Sequence, residues 1–327
     1  MEEWLLENLV CPRDKLPLSA QQDGLCCSRG HRYPVFDGVP IMLLEEVEST
    51  HGECTRSIEQ ARSVYSTPTA SGSSIPPGGV DPFVQQVIAA TSGIMYRPLI
   101  NNLTDYPIPD LPLPPSSGGR LLDIGCNWGR WCISAARKGY RPVGIDPSLD
   151  AVLAARRVAT RLDVSALYIV ADARYLPFAT DSFDVVFSYS VLQHLDKEHV
   201  KLCLAEVCRT LRPSGSSLIQ MPNTFAARNF YSQAKRRFRK PASFDVRYWG
   251  PGELKQTFGS LIGPTTLSVD NYFCLGGQAS DLQLLPWRYR LVVSCSELLK
   301  KLSRQLPFIT WVADSLYVHS VKPGDET

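Results

Sequence analysis

The residues best suited to chemistry form a short loop in which a carboxylate precedes two glycines: Asp123, Gly125, Cys126, Asn127 and Gly129. Because glycine lets the backbone approach a ligand closely, Gly125 and Gly129 indicate a binding loop that leads directly into a helix. Asp146 ends the next apolar run, where a carboxylate can accept hydrogen bonds from both hydroxyls of a ribose. Asp172 and Ala173 end a third run, where they can bind the amino group of a purine. The pattern predicts a site for a nucleoside-containing ligand.

The elements that must position these residues alternate between strands and helices after Gly119. Apolar runs predict strands at 120–125, 142–146, 166–173, 183–190 and 216–223, with helices at 129–139, 148–162 and 198–215 between them. A helix at 251–263 and strands at 266–273 and 314–322 complete the pattern. Alternating strands and helices, with strands buried on both faces, predict a Rossmann-like, doubly wound α/β sheet. Ligands bind such sheets at the carboxyl ends of the strands.

A dinucleotide site is the nearest alternative. Its fingerprint is G-x-G-x-x-G, whereas the loop here reads D-x-G-x-x-x-G. Asn127 stands where the second glycine would admit a pyrophosphate. Asp123 suits a cationic amino-acid moiety and repels a pyrophosphate, so a ligand carrying such a moiety is favoured.

Residues 120–223 resemble the core of the class I S-adenosylmethionine-dependent methyltransferases, in the ubiquinone/menaquinone methyltransferase-like group (methyltransferase type 11). The resemblance is carried, in the family's order and spacing, by the segments LLDIGCNWG, VGID, ADARYLPF, FDVVFSYSVLQHL and EVCRTLRPSG. It implies a seven-stranded sheet whose last strand is antiparallel, S-adenosyl-L-methionine as cofactor, and transfer of its methyl group to an acceptor.

The same resemblance implies a role for each motif. The glycine-containing loop would hold the methionine part of the cofactor. Asp146 would bind the ribose, with Pro147 beside the adenine. Asp172 and the backbone amide of Ala173 would recognise the adenine, and Ser188 would line the methionine side.

Three further side chains are candidate site residues for which the sequence leaves other roles open. Similar enzymes carry an aromatic residue in the preceding helix, so Tyr96 would cover the cofactor; the alternative is a tyrosine that only packs. His194 follows the fourth strand and is the candidate general base, the alternative being a capping or packing histidine; Tyr189 is a second candidate. A base is needed only if the acceptor is a hydroxyl or a protonated amine.

Residues 1–48 form a candidate unit of their own. They resemble the small zinc-ribbon-like domain that occurs alone as a methyltransferase activator and fused to some rRNA guanine methyltransferases, through LVCP, GHRYPV and DGVPI. A structural zinc site takes four ligands, usually Cys or His. The ligands here would be Cys11, Asp14, Cys27 and His31, with Asp14 where a second cysteine is usual. The alternative is a metal-free unit in which the two cysteines pack.

Residues 49–119 predict a linker between this unit and a methyltransferase domain at 120–327. Ten of the 25 prolines lie between Pro68 and Pro115, among runs of serine and glycine. The apolar stretch 82–103 predicts a short helical strap that packs on the core. The domain would carry helical insertions at 224–250 and 280–312, the second as an amphipathic helix of a kind that usually packs on its own core.

The overall charge argues against bulk electrostatic binding to nucleic acid. The chain of 327 residues has 34 Lys+Arg against 32 Asp+Glu, a net charge of +2. The segment 226–247 is nonetheless basic, with aromatic residues between its charges. It predicts a solvated helix face, a contact with a phosphate-bearing acceptor or with anionic lipid at a membrane surface (through 228–247), or an RNA contact.

These features together predict a methyltransferase that acts on a small-molecule or lipid/glycan-type acceptor. The alternatives are an rRNA or tRNA base methyltransferase and a non-catalytic cofactor-binding scaffold or activator. The chain shows neither a membrane-spanning segment nor a secretory signal, so we expect a cytoplasmic protein whose ten cysteines are reduced.

Overall fold

The computed structural model describes residues 2–21, 24–48, 52–64, 79–239, 241, 245–273 and 276–324. The N-terminal unit contains α1 (Glu3–Asn8) and five short strands: β1 (Leu18–Gln21), β2 (Gly24–Cys27), β3 (Arg32–Tyr33), β4 (Val35–Phe36) and β5 (Val39–Pro40). Strands β1, β2 and β3 form an antiparallel sheet, and β4 pairs with β5.

Two helices, α2 (Gly52–Val64) and α3 (Pro82–Ser92), precede the large domain. The domain then alternates β6 (Arg120–Ile124), α4 (Arg130–Arg137), β7 (Arg141–Asp146), α5 (Leu149–Arg161), β8 (Leu167–Val170), β9 (Phe183–Ser188), α6 (Lys197–Thr210) and β10 (Leu211–Pro222). It ends with α7 (Ala227–Lys235), α8 (Pro251–Leu261), β11 (Thr265–Asn271), α9 (Trp287–Ser303) and β12 (Ser315–Val321).

One seven-stranded sheet organises the large domain, in the order β11-β12-β10-β9-β6-β7-β8. The five strands from β10 to β8 run parallel, and β12 is antiparallel to both of its neighbours. This arrangement confirms the expected Rossmann-like class I methyltransferase fold. The carboxyl ends of β6, β7, β8 and β9 therefore meet at one edge, where the candidate cofactor residues lie.

Local sequence explains where the helices begin. The Ser148 side chain accepts a hydrogen bond from the backbone of Ala151 and caps α5, as expected from its type. Asp196 caps α6 through the backbone N–H of His199, 2.8 Å away. The predicted helix 198–215 ends earlier than expected, because the strand β10 already begins at Leu211 and continues past a register shift before Ser216.

The N-terminal unit packs directly on the large domain. Val10 donates a backbone hydrogen bond to Pro177 at 3.0 Å, and Ile41 forms a parallel bridge with Val170 at the end of β8. Lys15 forms an ion pair with Glu206 at 2.7 Å. A unit of about 40 to 50 residues buries little core of its own, so sharing the apolar core of its neighbour stabilises it.

The predicted linker 49–119 contains more structure than its composition suggests. The helix α2 docks on the start of α5, where Ser57 accepts a hydrogen bond from the backbone of Leu149 at 2.9 Å. The strap expected at 82–103 is present as α3 followed by a 3₁₀ helix, Ile94–Leu99. Asp81 caps α3 and pairs with Arg157 at 2.7 Å. The proline- and serine-rich part at 65–78 lies outside the described residues.

Within the described residues, no helix has the length and apolar character needed to cross a membrane.

Candidate active site

The loop between β6 and α4 is held against the neighbouring strand β7. The backbone N–H groups of Gly125 and Cys126 both donate to the carbonyl of Ile145, at 2.8 and 2.9 Å. Gly125 and Gly129 have φ angles of 76° and 81°, in the left-handed region that favours glycine. A Cβ atom on Gly125 would also lie 2.2 Å from Val191 Cγ2. Backbone conformation and lack of space therefore both require glycine there.

Asp146, at the carboxyl end of β7, fixes this loop. Its Oδ2 accepts a hydrogen bond from the backbone N–H of Asn127 at 3.0 Å, and its Oδ1 accepts one from Ser148 at 3.0 Å. Burial raises the pKa of the Asp146 carboxyl to about 6, although both N–H groups oppose the shift. Two residues that the sequence assigned to one site are thus in direct contact.

Asp123 lies in β6 beneath the loop and is enclosed, with 1% of its surface exposed. Its Oδ2 accepts a hydrogen bond from the Cys132 thiol at 3.3 Å, whereas its Oδ1 has no partner within the described residues. Burial raises the pKa of the Asp123 carboxyl to about 7, and the charge of Asp146 adds to the shift. The carboxyl of Asp123 is therefore readily protonated, and its buried Oδ1 remains available to a hydrogen-bond donor or a cation.

Arg130 is a candidate site residue that the sequence analysis missed. It is the first residue of α4 and is 3% exposed. Its Nη1 donates to Ser92 Oγ at 2.6 Å, and its Nη2 is without a partner in the part of the chain that the structure describes. Its charge also lowers the pKa of Asp123. A buried guanidinium with an unsatisfied N–H group is well suited to bind a carboxylate. The only signal in the sequence was an arginine directly after Gly129.

Asp172 follows β8, and Arg174 holds its carboxylate. The backbone N–H of Arg174 donates to Oδ1 at 2.8 Å, and its Nη2 donates to Oδ2 at 2.7 Å. Asp172 also lines a cavity of about 180 Å³, together with Arg174, Tyr175, the helix α2 and the segment before it. The neighbouring Ala173 is partly buried, and the carbonyl of Pro147 accepts a hydrogen bond from Ser57 of α2 at 2.8 Å. Segments ahead of the large domain therefore border the region expected to bind adenine.

The end of β9 carries two hydroxyl groups that already have partners. Ser188 is 1% exposed and donates to the carbonyl of Ile124 at 3.0 Å, so its hydroxyl links β9 to β6. The Tyr189 hydroxyl donates to Asp270 Oδ2 at 3.1 Å and accepts a hydrogen bond from Gln278 at 3.0 Å. Burial raises the pKa of the Tyr189 phenol well above its usual value. This tyrosine is therefore neutral at physiological pH.

His194 lies in a one-turn 3₁₀ helix (Leu192–His194) beyond β9 and is half-buried. Its carbonyl accepts a hydrogen bond from Arg247 at 2.6 Å, so the end of the basic segment packs beside it. Its Nε2 lies 3.2 Å from the side-chain nitrogen of Gln193. The histidine is thus at the carboxyl edge of the sheet, where a base would be needed.

Tyr96 is completely buried, and its hydroxyl bonds to Asp281. The ring packs in an apolar cluster with Trp128, Val84 and Ile88. Because the hydroxyl has a protein partner, only the ring of Tyr96 is available to cover a cofactor. The arrangement also fits the packing role considered for this residue.

Four side chains of the N-terminal unit come together as a candidate metal centre: Cys11, Asp14, Cys27 and His31. Their ligand atoms all lie within 4.8 Å of one another. Nδ1 of His31 is 3.5 Å from Cys11 Sγ, 3.4 Å from Cys27 Sγ and 3.1 Å from Asp14 Oδ2. Tetrahedral zinc with Zn–S near 2.3 Å and Zn–N near 2.0 Å sets its ligand atoms about 3.3–3.8 Å apart. The two sulfur distances from His31 Nδ1 lie in this range and the carboxylate distance is slightly shorter, so the four side chains are placed as candidate ligands of one zinc ion. The Cys26 thiol points to the carbonyl of Cys27 instead.

Residues 121–215 match the protein family described as "Methyltransferase domain". The match begins in β6 and includes the glycine-containing loop, Asp146 and Asp172. Residues 121–215 therefore belong to a methyltransferase domain.

Two curated relatives match part of the methyltransferase domain. One is a ubiquinone biosynthesis O-methyltransferase from Agrobacterium fabrum, 36% identical over 101 residues, which are 31% of this chain and 40% of the relative. The other is a 27-O-demethylrifamycin SV methyltransferase from Amycolatopsis mediterranei, 38% identical over 107 residues, which are 32% of this chain and 38% of the relative. Both matches span less than half of the relative's own length. Among solved structures, a SAM-dependent methyltransferase from Methanosarcina mazei aligns with a TM-score of 0.47 and 17% identity, over 64% of this chain and 95% of that one.

Proposed function

We propose that the protein transfers the methyl group of S-adenosylmethionine to a small-molecule or lipid/glycan-type acceptor. The observation that carries this proposal is the direct contact between the Asp146 carboxylate and the backbone of the glycine-containing loop at Asn127. A carboxylate for the ribose and a loop for the methionine moiety then belong to one site. The methyltransferase domain supplies the fold in which such a site works.

The amino-acid end of the cofactor fits two unpaired groups. Oδ1 of Asp123 and Nη2 of Arg130 are both buried, and neither has a hydrogen-bond partner within the described ranges. A carboxylate and a guanidinium left in this state are costly to bury. In our proposal Asp123 holds the ammonium group of the methionine moiety and Arg130 holds its carboxylate.

The remaining parts of the cofactor are assigned to the neighbouring strand ends. Asp146 binds the ribose hydroxyls with the lone pairs that its two backbone partners leave free. Pro147, Asp172 and Ala173 border the adenine. The cavity of about 180 Å³ that Asp172 lines supports this assignment, since it offers space next to that carboxylate.

The proposed reaction is an in-line displacement, for which the bound cofactor supplies an electrophilic sulfonium methyl group. The protein contributes mainly proximity and alignment. His194 is the candidate that accepts the proton of a hydroxyl acceptor. Tyr189 is the second candidate base. In our proposal its phenol, which is hydrogen-bonded to Asp270 and Gln278, positions the loop around Gln278 above the same edge.

We propose a structural zinc ion for Cys11, Asp14, Cys27 and His31. Zinc bound there would cross-link two separate segments of the N-terminal unit, residues 11–14 and 27–31. It supplies stability and no chemistry, because all four tetrahedral positions are taken by side chains.

The acceptor class follows from the relatives, whose names describe a quinone pathway and a rifamycin. We propose that this chain likewise methylates a small organic acceptor. An RNA acceptor is the alternative that the basic segment 226–247 suggests.

Calorimetry with three ligands tests the proposal. S-adenosylmethionine and S-adenosylhomocysteine should bind, and 5′-methylthioadenosine, which lacks the amino-acid end, should bind more weakly. Absence of S-adenosylmethionine binding at about 1 mM would reject the proposed activity. Transfer of labelled methyl groups into an organic extract, and not into total RNA, is the expected second result; labelling of RNA alone would reassign the acceptor.

A further inference from the structure

Two stretches of the chain, residues 225–239 and 287–312, expose many large apolar side chains, and we call them the docking surface. Both lie at the active-site edge of the sheet, because α7 follows the carboxyl end of β10 and residue 312 precedes the antiparallel β12. Seven aromatic side chains of the surface are more than half exposed: Phe225, Phe230, Tyr231, Phe238, Trp287, Phe308 and Trp311. Soluble monomers rarely leave so many large apolar groups together in water.

The outward face of α9 carries side chains that recur every three or four residues: Trp287, Leu291, Cys295, Leu298 and Leu302. All five are exposed. The helix contacts the protein through the opposite face, where Val293, Ser296 and Ser303 are buried. The expected amphipathic helix is therefore present, but many of its apolar side chains face outward and not into the core.

The two stretches form one surface. The Phe225 and Trp311 rings lie 6.2 Å apart, centroid to centroid. Asn223 donates to the carbonyl of Trp311 at 2.7 Å, and Asn229 of α7 donates to the carbonyl of Asp314 at 2.8 Å. These bonds hold the start of α7 against the segment that precedes β12.

The docking surface also carries more positive charge than the chain as a whole has in excess. Residues 225–239 contain five basic and no acidic residues: Arg228, Lys235, Arg236, Arg237 and Arg239. Residues 287–312 contain five basic residues and one acidic residue: Arg288, Arg290, Lys300, Lys301, Arg304 and Glu297. The sum is 5 + 5 − 1 = +9, whereas the whole chain carries +2.

We propose that this surface docks on an anionic lipid bilayer. Its apolar side chains enter the boundary between headgroups and acyl chains, and its arginines and lysines meet lipid phosphates, as in interfacial amphipathic helices. A second copy of the chain is a poor occupant, since two surfaces of +9 repel each other. RNA could contact the positive charges and stack on the aromatic rings, but it would form no favourable contact with the exposed aliphatic side chains of Leu291, Leu298 and Leu302.

Docking in this orientation brings the carboxyl edge of the sheet to the bilayer. If the proposed methyl transfer is right, a lipid-soluble acceptor can then reach the site without crossing water. That last step rests on the proposed function, whereas bilayer binding does not.

Vesicle flotation of the full-length protein tests the docking. Vesicles of neutral phosphatidylcholine are compared with vesicles that contain about 30% phosphatidylglycerol, at about 0.1 M salt. We expect binding to the anionic vesicles only. The double variant Leu291→Ser/Leu298→Ser should bind at least about tenfold more weakly, since both side chains lose their apolar contact. The matched control Leu202→Ser, which changes a 46% exposed leucine on α6, should bind like the wild type.

Four results would overturn the inference. The first is no flotation with anionic vesicles, and the second is equal binding by the wild type and the double variant. The third is a wild-type dimer in sedimentation that the double variant converts to a monomer, which would assign the surface to self-association. Transfer RNA added as a competitor tests the remaining alternative, which is that the surface binds nucleic acid. Displacement of the protein from vesicles by transfer RNA, with RNA binding unchanged in the double variant, would assign the surface to nucleic acid. Cofactor binding measured on the same variants reports on the proposed function separately.

Discussion

The backbone N–H of Asn127 donates to Oδ2 of Asp146 at 3.0 Å, which ties the loop after β6 to the end of β7. Asn127 has a φ of 45° and its side chain accepts a hydrogen bond from Trp128, so the loop is held from both sides. The carboxylate assigned to the ribose is therefore also the group that shapes the loop assigned to the methionine moiety. Binding of the two halves of the cofactor is coupled through this one residue.

Replacing that carboxylate should weaken every adenosine ligand. We expect Asp146→Asn to raise the Kd of S-adenosylmethionine and of 5′-methylthioadenosine alike, by about 10- to 100-fold, because hydrogen bonds to a charged group contribute about 1.5–3 kcal/mol. Calorimetry measures both. Asp150→Asn, four residues further along on α5, is the control and should leave both values unchanged. Loss of S-adenosylmethionine binding with normal 5′-methylthioadenosine binding would contradict the ribose assignment.

Replacing Arg130 should instead weaken only the ligands that carry the amino-acid end. Arg130→Gln removes the guanidinium assigned to the methionine carboxylate, so affinity for S-adenosylhomocysteine should fall by about tenfold or more. Affinity for 5′-methylthioadenosine should stay within about twofold, because that ligand has no carboxylate. Arg137→Gln, at the exposed end of the same helix, serves as the control. If both ligands weakened together, the role of Arg130 would be structural.

The buried carboxyl of Asp123 makes the stability of the ligand-free protein depend on pH. Its folded-state pKa of about 7 lies above the ordinary value of 3.8 for an aspartate, so the folded protein retains a proton that the unfolded chain releases between these values. Its contribution to stability is complete below about pH 4 and is lost as the pH rises towards 7. The side chain of the Asp123→Asn variant cannot ionise. The free energy of unfolding of the variant, measured relative to the wild type, should therefore rise by up to about 1.4 kcal/mol for each pH unit in that window.

Thermal unfolding of the ligand-free protein at about pH 5 and about pH 8 measures this difference. The Tm of the variant, relative to the wild type, should be higher at the upper pH. Asp150→Asn should show no such change. A difference between wild type and Asp123→Asn that is the same at both pH values would contradict the raised pKa.

Metal analysis checks the cluster in the N-terminal unit. Purified protein should contain close to one equivalent of zinc, and Cys27→Ser should lose it because only three ligands remain. Cys26→Ser is the matched control, since that thiol is adjacent but points away from the cluster. Retention of zinc by Cys27→Ser, or its absence from the wild type, would favour the metal-free packing of the two cysteines.

The sequence predicted most accurately those features that follow from local pattern. The strands appear as apolar runs, and the positions of Gly125 and Asp146 follow because parallel strands end at one edge. Arg130 was missed because its burial depends on Ser92 and other groups brought together only by folding. The outward face of α9 was also beyond prediction, since the spacing of Leu291 and Leu298 is the same whether the stripe meets the core or the solvent.

The bridge between Ile41 and Val170 has a consequence for how the chain avoids aggregation. β8 is the last strand of the sheet, and an edge strand offers unpaired N–H and C=O groups to any neighbouring polypeptide. The backbone N–H of Met42 takes up the carbonyl of Val170 at 2.7 Å, so the N-terminal unit blocks the end of this edge next to the adenine region. The small unit thus covers part of the edge of β8 and protects it from pairing with a strand of another polypeptide. We expect a polypeptide that lacks this unit to associate through β8.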